Sequence, residues 1–249
     1  MTPTPPAPAG PDPAAPALGL VTIGQAPRSD LHRDAAPLLA GTAVTEHGAL
    51  DEDRFDPAHE AATRAELAPG PNEAPLVSRL RDGRSVELGH HALLPRMARA
   101  VARAEADGAL ATLVLCTGSF PELPAERPLL FAEPLVQRAV AAVAEADPVG
   151  VCCPHADQAE DVGTRWRQVL AGPVTVTGAD PYAPGAAPLD QVARAATELA
   201  EQGSRWIVLD CIGYTEEMRR AAAEASGLPV LLARSLAVRL AAEVVAAHP

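Results

Sequence analysis

The chain has 249 residues, 48% of them hydrophobic but only 3% aromatic, and a formal net charge of −12 at pH 7. That length fits one large domain or two small ones, with a core of Ala, Val and Leu, and the acidic balance argues against a nucleic-acid binder. All 20 basic residues are Arg, so a lysine Schiff base to pyridoxal phosphate and a Walker-type phosphate loop are both excluded.

Residues 1–17 are Pro-rich and read as a disordered leader, without the charged start and apolar stretch of a signal peptide. No apolar run is long enough to span a bilayer. Cys116, Cys152, Cys153 and Cys211 are therefore expected as reduced thiols in a cytoplasmic protein. The vicinal Cys152–Cys153 pair lacks the CxxC spacing of a zinc knuckle, so neither a metal nor a cofactor is expected.

Order is expected from Leu18–Gly24, an apolar run ending in Gly that reads as a buried strand. A helix follows over 30–40, and 44–47 and 85–88 are short strands separated by an acidic stretch of helix and loop. Leu94–Asp107 is an amphipathic helix closed by Gly108, leading into the strand Ala111–Cys116. Next come a strand over 129–131, a helix opened by Pro134, a strand over 149–153 and a helix over 156–170. A strand over 174–176, a helix over 189–202 capped by Gly203, and a strand over 206–211 follow. A strand over 230–232 and a helix over 235–246 end the chain. Strands alternating with helices predict parallel sheets with right-handed crossovers.

The chain repeats itself. Leu94-Pro-Arg-Met-Ala-Arg-Ala aligns with Leu189-Asp-Gln-Val-Ala-Arg-Ala. Without a gap, Gly108 then meets Gly203, Cys116 meets Cys211 and Gly118 meets Gly213. A strand and helix follow in each half, with Arg138 and Arg239 in matching places. Both cysteines fall at strand carboxyl ends, where ligand sites form in open parallel sheets. Facing halves would set the two thiols across a cleft as acid and base on opposite faces of a carbon acid.

A cysteine at a strand end also serves as a small hydrophobe; its duplication with a following Gly turn favours function. The Gly118 and Gly213 N–H groups, near a following helix N-terminus, are expected to bind a carboxylate or steady a thiolate. Thr117 and Ser119 add hydroxyl donors. Thr22, Gly24, Gln25 and Arg28 leave the first strand, and Arg28 is a candidate for bidentate hold of a carboxylate, a solvated turn Arg being the alternative. His155 lies at another strand end, and Cys152 and Cys153 read as core or cleft lining.

The segments VTIGQAPRSD, LVLCTGSF and LDCIGYT together resemble the AroM family, itself similar to the wider aspartate/glutamate/hydantoin racemase superfamily. The resemblance runs from about Leu18 to Val245. It implies two Rossmann-like (flavodoxin-like) α/β domains related by a pseudo-twofold axis, with the active site between them. It also implies a cofactor-independent isomerase in which Cys116 and Cys211 are the catalytic pair. Gly24-Gln25 stands where glutamate racemases carry an acidic pair, and Gly213-Tyr214 where a His follows the second Cys, which implies a substrate other than plain glutamate or aspartate. A decarboxylase or lyase using a cysteine, and a non-catalytic binding protein, are the alternatives.

The expected division is a leader over 1–17, a first domain over 18–127 plus 229–249, and a second over 128–228. The expected partner is a small carboxylate, held by Thr22, Gly24, Gln25, Arg28, Thr117, Gly118, Ser119, His155, Gly213 and Tyr214. No nucleic acid or membrane is expected, and the assembly is open, a homodimer among the options.

Overall fold

Strands covered on both faces need nearly continuous apolar runs, and the chain supplies two sets of them. The computed structural model describes residues 17–248 apart from 40, 72 and 74, so the leader expected over 1–17 lies outside the described residues except for Ala17. The first sheet is parallel and ordered β2-β1-β5-β6, from β1 (Ala17–Thr22), β2 (Ala43–Gly48), β5 (Ala109–Leu115) and β6 (Leu129–Phe131). The second has the matching order β8-β7-β9-β10, from β7 (Val149–Cys153), β8 (Val174–Gly178), β9 (Trp206–Leu209) and β10 (Val230–Leu232).

The helices are α1 (Ser29–Ala35), α2 (Glu60–Leu67), α3 (His90–Ala106) and α4 (Ala132–Ala144), then α5 (Ala159–Arg167), α6 (Ala187–Glu201), α7 (Glu216–Ser226) and α8 (Ala233–Ala246). Among the described residues no helix is long and apolar enough to cross a membrane.

Side-chain alternation along the strands sorts the core into three layers. Leu18 and Leu20 of β1, Leu113 and Leu115 of β5, Val149 and Val151 of β7 and Val208 of β9 enter one central cluster with α4, α5 and α8. Val21 and Val114 face the opposite way, onto α3 and the antiparallel hairpin β3 (Leu76–Arg79)–β4 (Ser85–Leu88). Cys152, Ile207 and Leu209 do the same onto α6 and α7. One apolar layer thus joins the two halves, and one backs each sheet.

The repeat is visible at backbone level. Gly19 pairs with Thr112 as Gly150 pairs with Ile207, and Gly108 and Gly203 both close their helices at φ +89°. A Cβ on Gly19 would lie 2.9 Å from that of Ala104, and a Cβ on Gly150 would lie 2.9 Å from that of Leu199, the same helix position in each half.

Several expectations are revised. The pairing departs from the expected division at two strands: β6 joins β5 in the first sheet, and β10 joins β9 in the second. Helix α8 nevertheless packs on β5 and β1, crossing back to the first sheet. A three-residue strand carries too little pattern to announce which sheet it joins. Strand β3 and helix α7 escaped the sequence reading, the first because Leu76-Val-Ser-Arg is short and the second because its face is Ala-rich rather than apolar. No helix follows Gly118, because Pro121, Pro124 and Pro128 keep the chain extended to β6. Gly213 does precede one, α7, capped by the Thr215 side chain, which accepts from the Met218 N–H.

Replacing Gly150 by Ala drives a methyl into Leu199 and into Ser204 Oγ, 2.7 Å away. The expected loss is about 1–3 kcal/mol, read as a lower urea midpoint at unchanged m-value.

Candidate active site

Cys116 is the first residue beyond β5 and Cys211 the second beyond β9, equivalent strands of the two sheets. Both line one small cavity of about 80 Å³ together with Arg28, Thr117, Gly118 and His155. Each sulfur accepts a hydrogen bond from the backbone N–H two residues on, Gly118 or Gly213, at 3.3 Å in both turns. The two Gly amides therefore serve the sulfurs.

Burial pushes the Cys116 thiol up to about 12, against the pull of the Gly118 N–H, and a thiolate on Cys211 raises it further. Burial likewise pushes Cys211 up to about 11, opposed by the Gly213 N–H and reinforced by Asp210. Both thiols are protonated at neutral pH, and ionising one disfavours ionising the other.

Arg28 is buried, not solvated, and lines the cavity. Its Nε and Nη2 already hold Asp30 at 2.8 Å each, and Nη1 donates to Thr22 Oγ1 at 3.2 Å. The fork expected to grip a substrate carboxylate is occupied by Asp30, and the Nη1 edge is what remains. Burial, the largest single influence, would lower the Arg28 pKa; the hydrogen bonds and charge of Asp30 together with Tyr182 outweigh it and keep the group charged.

Other expected contacts do not reach the cavity. The Gln25 side chain is consumed by backbone, donating to Leu50 O and accepting from the Arg81 N–H. Thr22 Oγ1 accepts from Gly24 N–H and Arg28, so Thr22 and Gly24 support the site from behind. Ser119 turns away, its carbonyl 3.3 Å from His90 Nε2. Gly213 lies behind the Cys211 sulfur, under the Tyr182 ring. Tyr214 is fully buried, its hydroxyl 2.8 Å from Cys153 O, 2.6 Å from Ala179 O and 3.3 Å from Cys152 Sγ. Cys152 and Cys153 are core.

A family model described as AroM protein matches residues 18–245. The chain belongs to the AroM family. Among solved structures, a point mutant of arylmalonate decarboxylase in a sulfate-associated form shares 16% identity over 94% of this chain and 95% of that one, at a TM-score of 0.61. Glutamate racemase from Bacillus anthracis shares 11% identity over 93% and 82%, at 0.59. A structure described as a putative Asp/Glu racemase from Yersinia pestis shares 11% over 93% and 99%, at 0.54. These likenesses show a common two-unit α/β fold. The search of curated proteins finds no match.

Sequence reasoning missed the groups that hold this AroM site in place. Arg234, 1% exposed, donates from Nε to Ile212 O at 2.8 Å and from Nη2 to Gly213 O at 3.2 Å, while Nη1 meets Asp34 Oδ2 at 3.0 Å. In the other turn Arg165 Nη1 donates to Thr117 O at 3.2 Å and pairs with Glu133. Thr117 and Ile212 are equivalent, each following its cysteine.

Glu133 and Arg234 are each the second residue of a helix, α4 and α8. Asp34 follows Gly19 by the same interval as Arg165 follows Gly150. The two ion pairs therefore occupy equivalent positions with their charges exchanged. That exchange is why comparing identities between the halves does not reveal them.

Asp210, beside Cys211, is also buried and accepts from Trp166 Nε1 at 2.7 Å. Burial pushes its carboxyl up to about 6, with the Trp166 bond pulling the other way. Tyr182, from the loop after β8, faces both Cys211 and Arg28, and burial raises its pKa. A lone Asp, Trp or Tyr in a strand or loop carries no pattern that would mark it.

Arg234→Ala takes from Asp34 its buried cation, leaving it the Glu216 N–H and the exposed Arg33 at 3.5 Å, and leaves two carbonyls unsatisfied, so we expect a loss of about 3 kcal/mol in denaturant unfolding. Asp210 folds with a raised pKa, so its contribution to stability is fully present below about pH 4 and is lost as pH rises through 6. Comparing wild type with Asp210→Asn across that range, wild type should lose roughly 3 kcal/mol relative to the variant.

Proposed function

We propose that this protein is a cofactor-independent acid–base enzyme that moves the α-proton of a small carboxylate, with Cys116 and Cys211 as the opposed pair. The observation that carries the reading is the shared cavity, where two equivalent thiols each receive a backbone N–H and each disfavour ionisation of the other. Once one thiol ionises the other stays protonated, which gives one thiolate and one thiol, the base and the acid that the reaction needs.

The thiolate takes the proton from one face of the α-carbon, leaving an enediolate. The other thiol delivers its proton to the opposite face, and the pair ends with its charge exchanged. Arg28 Nη1 meets the carboxylate, whose developing charge it stabilises. Racemisation is the outcome when both sulfurs act on a carbon bearing hydrogen. The likeness to an arylmalonate decarboxylase favours a second reading, in which one cysteine protonates the enediolate left by loss of CO2.

Incubation with α-substituted carboxylates in deuterated water, followed by NMR, should show α-proton exchange. Cys116→Ser and Cys211→Ser should each reduce it by about 10²–10⁴-fold. Because both thiols lie well above neutrality, exchange should rise about tenfold per pH unit from 7 toward 10. Exchange that survives in both serine variants would sink the reading. CO2 release from disubstituted malonates that needs only one cysteine would select the decarboxylase.

A further inference from the structure

The hairpin β3–β4 belongs to neither parallel sheet, yet Leu76, Val77 and Ser78 of β3 form one wall of the cysteine cavity. It is fastened to the first half, where Arg79 O accepts from the Gln25 N–H and Arg81 N–H donates to Gln25 Oε1. It is fastened to the second half by Gln158 Nε2, which donates to Pro75 O at 3.2 Å, and by the Arg79 guanidinium, 4.6 Å above the Tyr182 ring.

On this wall Ser78 is 1% exposed, and its Oγ finds no hydrogen-bond partner among the described residues. Buried hydroxyls are nearly always paired, because the bonds they gave up to water must be replaced. Gly24 makes room for it: a Cβ there would lie 2.5 Å from Ser78 Oγ and 2.3 Å from Arg79 O. The glycine after the first strand thus serves the hairpin hydroxyl, not the ligand directly.

The rest of the wall narrows the ligand. Among the described residues Arg28 is the one arginine that lines the cavity, and no Asp or Glu lines it. The Arg28 Nη1 edge, left over from the Asp30 pair, offers one ligand carboxylate a charged donor, whereas a second carboxylate would find no further arginine and an ammonium would find no acid. Ile23, Leu76, Val77, Leu115 and Ile212 supply apolar surface for the remainder.

We propose that Ser78 donates its hydroxyl hydrogen to the substrate carboxylate, and that the site takes small monocarboxylates with an apolar α-substituent in preference to amino acids. The inference rests on the cavity being the substrate site of the acid–base reading.

Calorimetric titration with phenylacetate and with glutamate tests it, using wild type, Ser78→Ala and a Cys116→Ser/Cys211→Ser double variant. Wild type and the double variant should bind phenylacetate, Ser78→Ala should bind it about tenfold or more weakly, and glutamate should show no saturable binding. Ser78→Ala should melt at or above the wild-type temperature, since it removes an unpaired hydroxyl. Unchanged affinity in Ser78→Ala, glutamate bound as tightly as phenylacetate, or no phenylacetate binding by wild type would overturn the proposal. So would a clearly lower melting temperature, because the hydroxyl would then have a structural partner. Phenylacetate binding that depends on Ser78 in an enzyme showing no proton exchange defeats the acid–base reading alone. Exchange with unchanged KM in Ser78→Ala defeats the Ser78 assignment alone.

Discussion

A turn at the end of a buried strand exposes carbonyls that no sheet or helix satisfies, and in this protein two guanidinium groups, Arg234 buried and Arg165 half-buried, take them. Arg234 holds Ile212 O and Gly213 O, and Arg165 holds Thr117 O. A buried guanidinium needs a carboxylate, and each finds one across the central apolar layer: Asp34 of α1 for Arg234, Glu133 of α4 for Arg165. Fixing the two turns and joining the two halves are therefore one set of interactions. The Gly118 and Gly213 amides point at the sulfurs because the carbonyls beside them are held.

Electrostatics then follow from burial. Both thiols sit far above neutral pH, and a charge on one raises the cost of a charge on the other. Asp210 presses the same way on Cys211, while Arg28 and the Gly213 N–H press against it. Arg28 spends Nε and Nη2 on Asp30, so its Nη1 edge is the guanidinium donor left for a ligand, and a second anionic group would find no further arginine in the cavity.

The two halves share strand order, helix caps and cysteine turns, but the hairpin β3–β4 lies in the first half only, between β2 and α3; in the second half β8 leads to α6 through a loop. The duplicated frame places the thiols. The unduplicated hairpin and the Tyr182 loop close the cavity around them, which is where differences in ligand preference would arise without disturbing the frame.

Much of the frame was legible in the chain. Apolar runs of strand length, Gly108 and Gly203 after amphipathic helices, and the shared spacing to Cys116 and Cys211 mark a duplicated parallel α/β protein with equivalent thiols, because these patterns arise from local backbone preference and burial. What the chain could not show is which groups meet across it. Arg28 reads as a turn residue until Asp30 and Thr22 close on it, and Tyr214 reads as a site residue until its hydroxyl is seen bonded to Cys153 and Ala179. The Asp34–Arg234 and Glu133–Arg165 pairs join positions far apart in sequence with exchanged charges, and Ser78 enters the cavity from a four-residue strand. Periodicity reports which face of an element is buried. Which polar atoms find partners there depends on how the layers pack, and only the tertiary structure decided that.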